Sequence, residues 1–339
     1  MDVAILIGGK GLRTKKISEK IPKSFLKLNN KSIIERQLKN LKHYKRIFIL
    51  SNKKISKYNN KLSNKNIVII EEEKPLGNAG CLKNLIKYKK LNDNILIISG
   101  DLVFNLDIKK FENFHKKNKS EITYLVHPND HITDSDAIEI NNKNQLIKFH
   151  KKPHTKKDIG NLCLSGIMII KKKILDHIKE NKFQDFSKDI LPKLIKKKIK
   201  IYGYNTREYV KDAGTPDRIN SVKKHLKILK YKKGSLKTKI PAVFLDRDGV
   251  INKEYPNKHY QNPLEIIEGA IDAVKKINEK GFLSVIVTNQ SAVAKGVVTI
   301  DKVERDHKKL EYLFGVHGSY FDRIYYCPYY PIKGFKGEI

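Results

Sequence analysis

The sequence predicts an α/β fold built on a mostly parallel, Rossmann-like sheet, and two observations support this. Short, unbroken, isoleucine-rich runs recur through the first half of the chain, at residues 3–7, 47–50, 67–70 and 95–98. Such runs are typical of strands buried on both faces. The stretches between them carry apolar residues at the spacing of one helix face, as at Ile34, Leu38 and Leu41. This alternation favours βαβ units and therefore parallel strands.

Two domains are expected, because a chain of 339 residues is long for a single compact domain. The first spans residues 1–230. The polar, lysine-rich residues 231–240 form the expected linker. A second α/β domain, at residues 241–339, follows the linker, because the same alternation of apolar runs and helical patterns restarts there.

The second domain begins with a predicted strand at 242–245, and another is predicted at 283–287. The helix between them contains Ala270 and other apolar residues at helical spacing. In the first domain, residues 136–140 and 145–149 are predicted to form a β-hairpin inserted into the βαβ pattern.

The composition narrows the classes of protein that fit. The formal net charge is +34 and the pI about 9.8, which invites a nucleic-acid interpretation. The lysines are spread along the whole chain, however, and no RNA-binding signature accompanies them, so nucleic acid is not the expected main partner. The expected consequence is a positive field that attracts anionic nucleotides and sugar phosphates.

The sequence carries no pattern of membrane insertion or export. No run of about 18 apolar residues is present, so no membrane span is expected. The N-terminus enters a strand directly and lacks the basic and apolar segments of a signal peptide. Cys81, Cys163 and Cys327 are scattered, which fits a reducing, cytoplasmic setting better than a disulfide framework.

Two carboxylates one residue apart follow the predicted strand at 242–245. Alternate side chains of an extended segment share a face, so Asp246 and Asp248 are expected to project toward one point beyond the strand. One such carboxylate can attack a phosphorus atom while the other handles the proton of the leaving group. The pair indicates phosphate chemistry, and the alternatives are a metal site or a solvated strand edge.

A glycine-rich turn, Gly-Gly-Lys-Gly-Leu-Arg at 8–13, follows the first predicted strand. Because they lack side chains, Gly8, Gly9 and Gly11 let backbone N–H groups approach a phosphate, and a following helix would add its positive end. The alternative for such a turn is a tight connection without a ligand.

The first domain resembles the sugar-phosphate nucleotidyltransferase family over residues 1–230. The likeness lies in six motifs that keep the family's order, at residues 8–13, 21–26, 75–80, 99–101, 149–153 and 212–216. The resemblance implies that a sugar 1-phosphate attacks the α-phosphorus of a nucleoside triphosphate and that pyrophosphate leaves. Catalysis of this kind is mostly positioning and charge neutralisation.

The resemblance also implies roles for single residues. Arg13 would hold the leaving phosphates, Lys23 would stabilise charge near the α-phosphate, and Lys152 would grip the phosphate of the sugar. The other implied roles are Mg²⁺ binding by Asp101 and Asp212, phosphate contact by Gly8, Gly9 and Gly11, and a base pocket lined by Gly77, Asn78 and Gly80. Outside this context, Asp101 and Asp212 would be ordinary turn or helix-cap residues. Lys151 stands where the family commonly has a sugar-binding Glu.

The second domain resembles the haloacid-dehalogenase-type phosphatases, and most of all their capless heptose-bisphosphate and histidinol-phosphate branch. The likeness lies in residues 246–252 and 288–296. It implies that Asp246 forms an aspartyl-phosphate while Asp248 acts first as an acid and then as a base. It also implies Mg²⁺ bound by Asp246 and the Asp248 carbonyl, and substrate contacts from Thr288, Asn289 and Lys295.

Two features of this branch are missing. Residues 327–331 resemble a zinc loop, but Tyr329 and Tyr330 replace its histidines, and the single thiolate of Cys327 cannot form a four-ligand site, so no zinc is expected. No segment after this loop resembles the phosphate-binding lysine and the metal-binding acid of the later motifs. The second domain is therefore expected to be incomplete at its C-terminus, with an exposed sheet edge and exposed apolar surface.

The two resemblances support each other, because a heptose 1,7-bisphosphate phosphatase produces the heptose 1-phosphate that a nucleotidyltransferase consumes. We therefore expect a bifunctional enzyme of nucleotide-heptose synthesis for surface lipopolysaccharide, with GTP as the donor by analogy. The first alternative is a nucleotidyltransferase for another hexose 1-phosphate with an inactive C-terminal binding domain. A basic nucleic-acid-binding protein is a distant second alternative, and a homo-oligomer is compatible with each.

Overall fold

The computed structural model describes residues 1–8, 21–59, 62, 64–227, 234–255 and 264–331. The chain divides into two compact units: unit 1 comprises Met1–Val126, Ile140–Leu146 and Leu164–Thr238, and unit 2 comprises His127–Glu139, Ile147–Cys163 and Lys239–Ile339. The last boundary falls inside the expected linker at 231–240. Two stretches of the expected first domain belong to unit 2 instead.

The predicted apolar runs form strands. The strands of the described residues are, in chain order, β1 (Asp2–Leu6), β2 (Lys27–Leu28), β3 (Lys31–Ser32), β4 (Ile47–Asn52), β5 (Ile67–Glu72), β6 (Asn94–Ser99), β7 (Leu102–Phe104), β8 (Ile122–Pro128), β9 (Ala137–Ile140), β10 (Leu146–His150), β11 (Leu162–Lys171), β12 (Ile201–Asn205), β13 (Val210–Asp212), β14 (Ala242–Leu245), β15 (Leu283–Asn289) and β16 (Arg323–Cys327). The four isoleucine-rich runs correspond to β1, β4, β5 and β6. The predicted hairpin corresponds to β9 and β10.

The α-helices of the described residues alternate with these strands. In chain order they are α1 (Ile33–Leu41), α2 (Ser56–Asn59), α3 (Gly77–Gly80), α4 (Ile108–Lys117), α5 (Leu191–Lys196), α6 (Pro216–Lys227), α7 (Ala270–Glu279) and α8 (Ile300–Val316). Over the same part of the chain, no helix combines the length and the apolar character that crossing a bilayer requires.

Unit 1 is built on a sheet whose central strands lie in the order β6-β1-β4-β5 and are all parallel. Strand β11 pairs antiparallel with β6 at the other side. The chain proceeds from β1 to β4 and β5 on one side and then places β6 on the other side of β1, so the strand order reverses between β1 and β6. In open α/β sheets, ligands bind at such a switch point, outside the carboxyl ends of the strands.

Helix α1 connects the local sequence to this switch point. A capping box starts the helix: the Ser32 side chain accepts a hydrogen bond from the Glu35 N–H, and the Glu35 carboxylate accepts one from the Ser32 N–H at 2.6 Å. On the buried face, the Gln37 side-chain amide donates to the carbonyl oxygens of Ser99 and Leu102 at 3.0 and 2.8 Å. The helix therefore fixes the backbone on both sides of Asp101.

Unit 2 contains a parallel sheet in the order β14-β15-β16. Helices α7 and α8 cover one of its faces, where Ile286 of β15 packs in a buried cluster with residues of both helices. By register, Phe244, Val287 and Tyr325 lie on the other face, and they are 69%, 48% and 58% exposed. Parallel sheets are usually covered on both faces, whereas these three side chains are exposed; the expected incompleteness of this domain stays a prediction.

Candidate functional site

The first group of predicted site residues lies at the switch point of unit 1. Leu6 of β1 pairs with Ser99 of β6, and two residues further along these parallel strands lie Gly8 and Asp101. The Gly100 N–H donates to the Leu6 carbonyl oxygen at 2.9 Å and holds the two strand ends together. The first glycine of the glycine-rich turn and the predicted metal-binding aspartate therefore each lie two residues after the paired ends of neighbouring strands.

Asp212 is brought next to Asp101 by the pairing of β7 with β13. Asp212 lies opposite Leu102 in this antiparallel ladder. The Ala213 N–H donates to the Asp101 carbonyl oxygen at 2.8 Å. Two carboxylates separated by 111 positions in the sequence (212 minus 101) are thus carried by adjacent backbone segments.

Lys23 joins the same group. Its Nζ donates to the Gly214 carbonyl oxygen at 3.2 Å, two residues after Asp212. A Cβ atom at Gly100 would lie 2.6 Å from the Oγ of Ser24, so the segment that carries Lys23 also packs tightly on the turn before Asp101. The structure therefore brings Lys23, Asp101 and Asp212 together from three separate motifs.

The chemistry of this group suits a hard cation. Carboxylate oxygens are the ligands that Mg²⁺ takes from proteins, usually one or two of them, with water and substrate phosphates completing the shell. Asp212 also forms an ion pair with Arg218, at 2.7 Å between Oδ2 and Nη1. In the part of the chain that the structure describes, no group of three or more His, Cys, Asp or Glu could hold a metal ion. Mg²⁺ binding by Asp101 and Asp212, with a phosphate ligand completing the shell, stays a prediction.

The predicted base loop packs against residues 182–186. A Cβ atom at Gly77, where φ is +77°, would lie 2.3 Å from the Gln184 carbonyl oxygen, and one at Gly80 would lie 2.4 Å from the Lys182 carbonyl oxygen. The Asn78 side chain accepts a hydrogen bond from the Phe186 N–H at 2.6 Å and also donates to a carboxylate of that segment. These contacts explain the glycines by close backbone approach, and the base-binding role stays a prediction.

Two polar residues that the sequence analysis missed connect the glycine turn to the base loop. The Asn52 side-chain amide donates to the Gly8 carbonyl oxygen at 2.7 Å. Glu72 is 6% exposed, and its carboxylate accepts a hydrogen bond from the Leu76 N–H at 2.6 Å. A Cβ atom at Gly8 would lie 3.0 Å from the Oε1 of Glu72. Burial raises the pKa of Glu72, and the bond from Leu76 only partly offsets this.

The sequence signal for both residues was their position. Asn52 and Glu72 are the last residues of β4 and β5 and pair with one another, so they end apolar runs at the same sheet edge as Asp101. Of the remaining predictions for the first domain, Gly9, Gly11 and Arg13 lie outside the described residues. Lys152 belongs to unit 2, where its Nζ donates to the Asp134 carbonyl oxygen.

In unit 2, the predicted phosphatase residues lie at the carboxyl edge of the parallel sheet. Asp246 follows the last residue of β14, and Thr288 and Asn289 are the last two residues of β15. Asp246 and Asn289 are exposed, whereas Thr288 is buried. Because its carboxylate is exposed, Asp246 is accessible to a phosphate ester from solvent and can attack it.

Asp248 is held by a buried network that the sequence analysis did not foresee. The Arg247 guanidinium donates to both Asp248 carboxylate oxygens, at 2.8 and 2.9 Å from Nη2. The side-chain amides of Asn252 and Gln290 donate to the same carboxylate at 2.9 and 2.8 Å. Arg247 is 4% exposed and also donates to the Nε2 of His307 at 3.2 Å.

This network sets the protonation of its members. Burial raises the pKa of Asp248, but the charge of Arg247 and the hydrogen bonds from Asn252, Arg247 and Gln290 outweigh burial and hold the pKa below its ordinary value. Burial, and then the charge of Arg247, lower the pKa of His307 to about 3, so its imidazole is neutral and accepts from Arg247. An ionised, fully bonded Asp248 suits a base better than an acid.

The segment that resembles a zinc loop makes a different contact. The Nζ of Lys295 lies 3.9 Å from the centre of the Tyr330 ring, within the range of a cation–π interaction. Tyr330 stands where the resembling branch has a histidine. Cys327 is an exposed free thiol. The absence of structural zinc stays a prediction, and Lys295 is exposed near the same sheet edge.

Comparison with known proteins finds different relatives for the N-terminal and C-terminal parts of the chain. A family model described as "Nucleotidyl transferase" matches residues 3–227. The crystal structure of HddC from Yersinia pseudotuberculosis is 27% identical, with a TM-score of 0.58, and the match covers 66% of this chain and 99% of that one. The same protein complexed with GMP-PN is 26% identical, with a TM-score of 0.56 and the same coverage. The expected α/β, Rossmann-like nucleotidyltransferase fold is confirmed.

The C-terminal part has different relatives. A D-glycero-beta-D-manno-heptose-1,7-bisphosphate 7-phosphatase of Vibrio cholerae serotype O1 is 39% identical over 94 residues, which are 28% of this chain and 50% of that protein. The corresponding phosphatase of Escherichia coli strain K12 is 39% identical over 92 residues, 27% of this chain and 48% of that protein. The chain thus spans about half the length of the curated relatives that it matches.

Proposed function

Since the chain belongs to the nucleotidyl transferase family, we propose that unit 1 transfers a nucleotidyl group from a nucleoside triphosphate to a sugar 1-phosphate. The observation that carries this proposal is the meeting of Gly8, Lys23, Asp101 and Asp212 at the switch point between β1 and β6. A phosphate oxygen of the sugar attacks the α-phosphorus, the bond to the β-phosphate breaks, and pyrophosphate leaves.

The proposed role of each residue in the site follows from its charge. The Gly8 backbone leads into the turn that would face the triphosphate, and Lys23 would stabilise negative charge on the α-phosphate. Asp101 and Asp212 would hold Mg²⁺, which would neutralise part of the triphosphate charge when bound. Catalysis then consists of holding two polyanions in line, which the strongly basic chain favours electrostatically.

The donor and the acceptor are proposed from different relatives. A guanine nucleotide is the proposed donor, because the HddC structure complexed with GMP-PN matches at 26% identity. D-glycero-D-manno-heptose 1-phosphate is the proposed acceptor, because the C-terminal part matches heptose-1,7-bisphosphate 7-phosphatases. Removing the 7-phosphate leaves the 1-phosphate that unit 1 would consume, so the two parts would act in succession in cytoplasmic nucleotide-heptose synthesis for surface lipopolysaccharide.

For unit 2 we propose phosphate-ester chemistry at Asp246, assisted by Asp248, Thr288, Asn289 and Lys295. Asp246 attacks the phosphorus, the bond between phosphorus and the sugar oxygen breaks, and water then hydrolyses the aspartyl-phosphate to release phosphate. Asp246 and the Asp248 carbonyl would hold Mg²⁺, which would draw charge from the phosphate oxygens. A second reading is that unit 2 binds the phosphorylated sugar without turnover. The observation that favours it is the engagement of both Asp248 oxygens by Arg247, which opposes the acid role.

Pyrophosphate release from a panel of GTP, ATP, CTP and UTP with several sugar 1-phosphates tests the transferase. We predict that Asp101→Ala lowers kcat about 100-fold or more, because charge neutralisation supplies much of the catalysis, while the melting temperature stays unchanged. Asp93→Ala is the matched control, since Asp93 is exposed and lies before the opposite end of β6. Wild-type turnover by Asp101→Ala would remove this residue from the mechanism.

Phosphate release from heptose 1,7-bisphosphate separates the two readings of unit 2. Turnover that Asp246→Asn abolishes would establish the phosphatase. Tight binding of the bisphosphate without phosphate release would favour the second reading.

A further inference from the structure

Helix α8 is buried along two separate stripes of its surface. One stripe, Val303, His307, Leu310 and Phe314, lies against the sheet β14-β15-β16 and its surroundings. Residues 308, 311, 312 and 315 form a second stripe at the spacing of one helix face. The second stripe contacts residues within 129–139 and 154–163, which belong to unit 2 although they lie inside the nucleotidyl transferase match.

The second stripe is closely packed. Tyr312, 8% exposed, forms a buried cluster with Ile132, Ala137, Ile159 and Cys163. A Cβ atom at Gly315 would lie 3.0 Å from the Asn129 carbonyl oxygen, so the helix backbone approaches this segment directly. The stripe is therefore packed against this segment at Tyr312 and Gly315 as in a protein interior.

An ion-pair network joins the second stripe to Glu139, which is 6% exposed. Its Oε2 accepts from the Nζ of Lys308 at 2.6 Å, and its Oε1 accepts from the Nε2 of His150 at 2.7 Å. The Nζ of Lys148 lies 3.7 Å from Oε1. A buried carboxylate with these partners ties the end of β10 to helix α8.

The end of β10 leads directly into the predicted sugar-phosphate motif, residues 149–153, which we call the 149–153 loop. His150 is part of it, and Lys152 follows two residues later. The Lys152 N–H donates to the Asp136 carboxylate at 3.2 Å. The His154 ring, just after the loop, contacts the Ser135 carbonyl oxygen at 2.9 Å and packs on Tyr312 with ring centres 6.2 Å apart. Both ends of the loop are therefore anchored to segments that α8 supports.

We propose that helix α8 positions the 149–153 loop for binding of the sugar 1-phosphate, and that Lys308 is a positioning residue that acts through Glu139 and His150. The C-terminal part of unit 2 then supports this loop, in addition to any phosphate chemistry at Asp246. This inference rests on the proposed function for the identity of the ligand. The bracing contacts themselves do not depend on it.

The test compares Lys308→Met and Lys308→Arg in the full chain. Lys308→Met keeps the apolar stem and removes the charge, so we expect the KM for the sugar 1-phosphate to rise about tenfold, as loss of a charge-assisted hydrogen bond allows, with kcat and the KM for GTP unchanged. Lys308→Arg can still reach Glu139 and should restore most of the affinity. Lys302→Met is the matched control, because Lys302 pairs with Asp306 on the same helix and not with Glu139.

Hydrogen exchange of residues 147–154 gives a second readout that needs no activity. Lys308→Met should increase exchange there, and Lys302→Met should not. Unchanged exchange and unchanged KM in Lys308→Met would overturn the inference, as would equal losses of kcat and of affinity for both substrates, which indicate general unfolding. If the wild-type chain shows no transferase activity, the proposed function fails, and the exchange data alone decide whether α8 braces the loop.

Discussion

Glu311 on helix α8 makes the stability of unit 2 depend on pH. Its carboxyl group is enclosed by protein, and burial raises its pKa from 4.5 to about 7 although Lys308 and Arg323 act in the opposite direction. The residue as a whole is partly exposed. In the unfolded chain the group ionises near 4.5, so between about pH 4.5 and 7 the folded state holds the extra proton. The free energy of unfolding must therefore fall as pH rises through this window.

A pKa shift of this size changes the free energy of unfolding by at most about 3 kcal/mol, and by less where water reaches the carboxyl group. Glu311→Gln keeps the shape and removes the titration. Its unfolding free energy should match that of the wild type near pH 5 and exceed it near pH 8. Urea unfolding at pH 5, 6, 7 and 8 measures this difference, with Glu304→Gln, exposed on the same helix, as the control. A constant difference between Glu311→Gln and wild type at all four pH values would refute the reasoning.

Two further substitutions test packing and the buried network. Gly77→Ala should destabilise the protein at least twice as much as Gly269→Ala in thermal melts. Both glycines have positive φ, where a side chain costs about 1 to 2 kcal/mol, but only a Cβ atom at Gly77 would also lie 2.3 Å from a carbonyl oxygen. Equal losses would contradict the close approach. Arg247→Met should lower the unfolding free energy by about 3 kcal/mol because it leaves the Asp248 charge uncompensated, whereas exposed Arg305→Met should be near neutral in the same urea titration. A neutral Arg247→Met would contradict the network.

The parallel strands and the switch-point residues could be predicted from the sequence because buried strands leave continuous apolar runs. The ends of these strands could not be predicted in this way. The ladder of β4 and β5 continues through Asn52 and Glu72, so the sequence shows only that these polar residues follow apolar runs. Register between strands is a tertiary property, and only the paired strands show that both residues approach Gly8.

Arg247 was missed for a related reason. The middle residue of Asp-x-Asp is expected to face away from its neighbours in an extended strand. β14 ends at Leu245, however, and the chain turns there, so Arg247 folds inward and its guanidinium reaches Asp248 and His307. Alternation alone therefore does not predict that Arg247 is a buried cation, 4% exposed, in this part of the site.

Helix α8 shows why a helix buried on two sides is hard to recognise in a lysine-rich sequence. Its first stripe is apolar and predicts packing on a sheet. Its second stripe contains Lys308 and Glu311, which look like an ordinary solvated face, although one bonds a buried carboxylate and the other is enclosed by protein. Charged residues can line an interior only when partners compensate them, and here the partner, Glu139, lies 169 positions away along the chain. This pairing lies inside unit 2, which joins residues 127–139 and 147–163 to the C-terminal part of the chain. A domain boundary drawn from composition alone cannot contain such an assignment.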